Sequence, residues 1–192
     1  MVSLVKGQTI SLAKPGGGAG LSQVRMGLGW DARQIRTFFG RTKQQDIDLD
    51  ASCLVFDAQN VLVDQVWFNQ LRSRDGAIVH LGDNRTGAGD GDDESIVVDL
   101  GSLHPAAQTL VFVVNSYSGE TFEQIENAFC RLVDSTNEQE IARYDLSGSG
   151  QHTAQIMAKV VRQGSGWSMT ALGARTEGKT IRDMLPAVLG VL

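Results

Sequence analysis

Residues 46–67 read DIDLDASCLVFDAQNVLVDQVW, and their alternation decides the fold class. Ile47, Leu49, Ala51 and Cys53 fall on one phase, and Asp46, Asp48, Asp50 and Ser52 on the other. A period of two marks a β-strand, because successive side chains point to opposite faces of a sheet. The turn residues Asp57, Ala58, Gln59 and Asn60 then lead into residues 61–67, which read as the hairpin partner. The same texture extends outward from this hairpin. Residues 2–12 alternate around Gly7, residues 24–30 (VRMGLGW) close on Asp31, and residues 77–81 and 95–100 flank a loop rich in Gly and Asp. Residues 109–114, TLVFVV, form the apolar run expected of a central strand buried on both faces. Residues 129–133, 140–146, 154–162 and 167–172 supply further strands, the middle two joined by a turn at 147–150. Helix is expected at 121–128, as one or two turns, and at 180–192, as a short amphipathic helix interrupted at Pro186. Regular strands with Gly-rich turns and little helix predict a mainly all-β chain: a β-sandwich of antiparallel strands, in one domain over 1–192.

A chain of 192 residues is long enough to bury a core without staples. It carries 17 Lys and Arg against 22 Asp and Glu, a formal net charge of −5. Residues 82–96, GDNRTGAGDGDDESI, hold Asp83, Asp90, Asp92, Asp93 and Glu94 beside Arg85. Setting that loop aside leaves 16 basic and 17 acidic residues, so the acidity is local to it. No basic stripe is present, which argues against nucleic acid as a partner. Cys53 and Cys130 both lie in apolar surroundings and read as buried thiols of a reducing compartment. The first residues show no basic segment followed by an apolar one, so no signal peptide is expected, and no run matches a membrane span. These features predict a cytoplasmic protein.

Clustered carboxylates are hard oxygen donors, and Gly82, Gly87, Gly89 and Gly91 let the backbone fold several of them toward one point. The loop is therefore either a calcium site, with room for two ions, or a solvated acidic turn. Asp48 and Asp50, two residues apart on one strand face, offer a second wall for such a site, with Asp31 nearby at the end of its own strand. An EF-hand fails despite the spacing of Asp83 and Glu94, because Arg85 and Gly87 stand where side-chain oxygens are required and Ala88 takes the glycine position. Residues 173–180, GARTEGKT, satisfy the Walker A pattern, yet too little chain follows Thr180 for a P-loop core and the preceding chain reads as hairpins. Gly16–Gly20 lacks a following helix and reads as a turn. His80, His104 and His152 are scattered without zinc spacing, and no GxSxG elbow occurs.

The loop resembles the signature of the TerD family of tellurium-resistance and stress proteins, GDN-x-TG-x-GDGDDE. The resemblance extends to VSLVKGQTISL, MGLGWD, DIDLDASC, VNSYSGETFEQIENAF, ARYDLS and GKTIRDMLP, and so covers nearly the whole chain. It implies a β-sandwich that binds two calcium ions, in the cytoplasm or at the inner face of the membrane, alongside other tellurite-resistance and stress proteins. The family motif maps onto Asp83, Asn84, Asp90, Asp92, Asp93 and Glu94, with Asp48 and Asp50 from DLDAS and Asp31 from GWD as further ligands; Asn115 stays outside that set. The function implied is a non-enzymatic calcium sensor or scaffold in a stress-response assembly. Direct binding of tellurium oxyanions is not expected, since an acidic loop repels them. The rival reading is a metal-assisted hydrolase or phosphoryl-transfer enzyme, for which no nucleophile or general base stands out.

Overall fold

The computed structural model describes residues 2–3, 6–12, 21–31, 33–36, 42–87 and 91–192. Its strands are β1 (Val2–Ser3), β2 (Thr9–Ser11), β3 (Gln23–Asp31), β4 (Arg33–Arg36), β5 (Thr42–Gln45), β6 (Leu49–Phe56), β7 (Leu62–Val66), β8 (Ile78–His80), β9 (Glu94–Asp99), β10 (Thr109–Ser116), β11 (Glu126–Asp134), β12 (Gln139–Asp145), β13 (Ala154–Gln163) and β14 (Gly166–Thr176), followed by the helix α1 (Ile181–Leu189). They form two six-stranded sheets and a small ribbon of β4 with β5. The first sheet runs β1-β12-β11-β3-β9-β8 and the second β2-β14-β13-β10-β6-β7. All these pairings are antiparallel except β1 with β12. The expected β-sandwich is therefore present, including the β6–β7 hairpin.

The doubly apolar reading of TLVFVV follows from where β10 sits. It lies between β6 and β13, with Leu110, Phe112 and Val114 in the core between the sheets. Val111 and Val113 point to the outer face, where they join Leu54, Phe56 and Ile156 under α1. The helix covers that face with Ile181, Met184 and Val188, a stripe at the spacing of one helical side. Asp183 accepts the backbone N–H of Thr180 at 2.9 Å and of Lys179 at 3.0 Å, which closes the first turn. That closed start and the buried stripe carry α1 through Pro186 without the expected interruption. No helix among the described residues is long and apolar enough to cross a membrane.

Three expectations need correction. Residues 121–128 form a turn and then the start of β11, not a helix. The N–H groups of Phe122 and Glu123 bond to His152 O and Gly150 O across the chain, so few remain for a helical ladder. Val2–Ser3 and Thr9–Ser11, read as one alternating run, are strands in different sheets, with Gly7 at φ +85 between them. The turn at 147–150 likewise carries the chain from β12 in one sheet to β13 in the other, and closes no hairpin.

Candidate metal centre

At the start of β6 two members of the polar phase of DIDLDASC, Asp50 and Ser52, are buried. Asp50 is only 3% exposed, and Asn115 stands across from it in register on β10. The Asn115 Nδ2 group donates to Asp50 Oδ2 at 2.9 Å and to the Lys179 carbonyl at 2.7 Å, which ties the carboxylate to the approach to α1. Asp48 precedes the strand. Its backbone is held by Ser118 Oγ at 3.0 Å and by the N–H of Tyr117. Asp83 arrives from the acidic loop, so that Asp48, Asp50 and Asp83 each offer an oxygen within 4.8 Å of the others. Phe68, Tyr117 and Arg85 complete the walls of a cavity of about 180 Å³ around them.

The electrostatics of this cluster are unfavourable as it stands. Burial pushes the Asp50 carboxyl up to about 8, with Glu94, Asp48 and Asp83 adding to the rise and the Asn115 bond opposing it. Burial, with the Asp83 charge beside it, raises Asp48 as well, although Arg85 partly offsets this. Asp48 Oδ1 is buried and has no hydrogen-bond partner. A lone pair in that state costs free energy unless a proton or a cation meets it. A hard divalent cation fits this donor set.

The remaining acids of the motif are placed differently. Both Asp92 oxygens are taken by arginines, Oδ2 by Arg25 and Oδ1 by Arg131 Nε at 2.6 Å. Asp93 accepts the Trp30 N–H at 2.9 Å and Asn84 Nδ2 at 2.9 Å. Burial raises its pKa; the Trp30 bond opposes this, and the Asp31 and Asp92 charges add to it. Asn84 Oδ1 is engaged by Thr86 N, Thr86 Oγ1 and Gly87 N, a turn-building arrangement. Glu94 is buried between the sheets. It accepts Ala51 N at 2.7 Å and Asn84 N at 3.2 Å, and His80 Nε2 stands 3.3 Å away. Ala51 lies beyond the stretch of β6 that pairs with β7, so its N–H is free for Glu94. Burial again raises the Glu94 pKa, against the bonds from His80 and Ala51. Asp31 is exposed and accepts Asn127 Nδ2 at 2.5 Å. Asp90 lies outside the described residues.

Several residues that shape the site carry little sequence signal. Arg25 and Arg131 read as ordinary surface charges, and Asn115 as a polar interruption of an apolar strand. Gly27 and Gly29 are the exception, since two glycines two apart in MGLGW mark a close approach to a strand. A Cβ at Gly27 would collide with the Asp92 carboxyl, and one at Gly29 with Gly91 O. The Walker-like residues 173–180 hold no phosphate loop. Their strand β14 is antiparallel to both neighbours, and Asp183 already occupies the amides of Lys179 and Thr180.

Comparison with known proteins agrees with this architecture. The family model described as TerD domain matches residues 1–186. The chain is 46% identical over 186 residues to the tellurium resistance protein TerZ of Serratia marcescens, covering 96% of this chain and 95% of that one. It is 39% identical over 199 residues to the stress response protein SCP2 of Bacillus subtilis, covering 96% and 97%. A crystal structure of a homologue of telluride resistance protein (TerD) from Streptomyces coelicolor A3(2) superposes with a TM-score of 0.71 at 22% identity, over 85% of this chain and 95% of that chain, and so shares the fold. By its length of match and its sequence identity, the chain belongs to the TerD domain family of tellurium-resistance and stress proteins.

Proposed function

We propose that this protein is a calcium-binding stress protein, without enzymatic activity, that acts as a sensor or scaffold in an assembly connected with tellurite resistance. Asp48, Asp50 and Asp83 would hold one ion. The single observation that carries this reading is the meeting of three carboxylates in one cavity, one of which, Asp48, has a buried oxygen with no hydrogen-bond partner. Three carboxylates on an irregular, open cluster suit the six to eight oxygens that calcium takes better than the strict octahedron of magnesium. A second ion belongs at the far side of the loop, with Asp93 and Asp31 as its described donors and Asp90 from the same motif. Other tellurite-resistance and stress proteins are the partners in keeping with the relatives' names, and the cytoplasm or the inner face of the membrane is the proposed location. Tellurium oxyanions are not proposed as ligands, because the cluster would repel them.

Calcium that binds only the folded chain raises its melting temperature by mass action. Melts in chelator and in excess calcium test the proposal. A clear rise with calcium is expected, and superimposable melts in the two conditions would refute it.

A further inference from the structure

We propose that Asp92 is not an ion ligand but the anchor of the acidic loop, and that Arg25 and Arg131 are the clamp that positions it. The inference rests on the calcium reading above for its consequence, though not for its geometry. The Asp92 side chain is 5% exposed, and each of its oxygens meets a different guanidinium. Arg131 stands directly across from Gly27 in the β3–β11 register, and Arg25 lies two residues along β3 on the same face as Gly27. The bare strand at Gly27 leaves the space in which the carboxyl lies. Arg25 is braced by Glu138 at 2.5 Å, and Arg131 reaches Glu140 at 3.4 Å. From Asp92 the fixation passes along the loop. Asp93 N bonds to Leu28 O at 2.8 Å, Asp93 Oδ1 accepts from Asn84 Nδ2, and Glu94 Oε1 accepts Asn84 N. Asn84 adjoins Asp83, the only carboxylate that the loop contributes to the three-acid cluster among the described residues. The clamp on the first sheet therefore sets where Asp83 meets Asp48 and Asp50 at the start of β6.

Anchor and ligand predict opposite signs. Were Asp92 a ligand, the two guanidinium groups would compete with the cation, and neutralising them would tighten calcium binding. If it is the anchor, the same change loosens the loop, and part of the ordering entropy must then be supplied when the ion binds.

The test uses the full chain as Arg25→Gln/Arg131→Gln, with Gly27→Ala as a second variant that displaces the Asp92 carboxyl without removing any charge. Amide hydrogen exchange in chelator should accelerate across the loop in both variants, while β10 and β13 keep their protection. Calcium titrated by calorimetry should bind about three- to tenfold more weakly to both. Unchanged loop exchange, or tighter calcium binding by the double arginine variant, would overturn the anchor. Absence of calcium binding by the native chain would refute the calcium reading instead, and the exchange measurement would still decide the clamp.

Discussion

Substituting Asp50 by Asn should stabilise the calcium-free protein and remove most of the stability that calcium adds. In the calcium-free fold Asp50 has its pKa raised from 3.8 to about 8 by burial among like charges. At neutral pH the fold must then carry a proton that the unfolded chain has already released, a penalty of roughly 2–4 kcal/mol. Asn is nearly isosteric, can still accept the bond from Asn115, and carries no charge for the fold to neutralise. Each kcal/mol shifts the midpoint by about 2–4 °C at this chain length, so Asp50→Asn should melt on the order of 5–10 °C above the native protein in chelator. With calcium the balance changes. An ion at about 100 times its dissociation constant stabilises the native fold by roughly 2.7 kcal/mol, and the variant should lose most of that gain. Differential scanning calorimetry of both proteins, in chelator and in excess calcium, reads all four midpoints. A lower melt than native in chelator, or a full calcium-dependent rise in the variant, would mean that Asp50 is neither strained without calcium nor a ligand with it.

The same linkage gives a pH dependence. A carboxylate whose folded pKa is raised contributes stability fully present below its unfolded value of 3.8 and lost as pH rises through about 8; the chelated native protein should therefore soften across that window, and Asp50→Asn should soften less. Tyr117 lines the cavity that holds Asp48, Asp50 and Asp83, so terbium substituted for calcium should show tyrosine-sensitised emission that drops clearly in Tyr117→Phe; equal emission from the variant would place the ion elsewhere. Phe56 is fully buried under α1, and Phe56→Ala should cost about 3–5 kcal/mol in denaturant unfolding, whereas a loss below about 1 kcal/mol would mean that α1 packs less firmly than described.

The strand pattern was legible because each strand packs against one core. Ile47, Leu49, Ala51 and Cys53 all enter that core on the phase that the alternation predicts. What the pattern could not show is that from Asp50 onward the opposite phase is also buried, by α1 beyond Ser52 and by Asn115 and the acidic loop at Asp50. The helix expected at 121–128 failed for a related reason: its amides are claimed by segments distant in sequence, which no local propensity reports. Among the site residues, the proximity of Asp48 and Asp50 to Asp83 was readable from the pairing of a rigid strand with a flexible loop. The engagement of Asp92 by Arg25 and Arg131 was not, because it depends on β3 and β11 lying side by side. Composition gives such arginines no mark.

Calorimetric titration of the chelator-stripped protein with calcium distinguishes an ion site from a buried acidic cluster. Saturable uptake is expected from the native chain, and loss of the site when Asp48, Asp50 and Asp83 are all changed to Asn in a chain that still melts cooperatively. No heat of binding from the native chain, or calcium uptake by that variant equal to the native, would contradict the ion site.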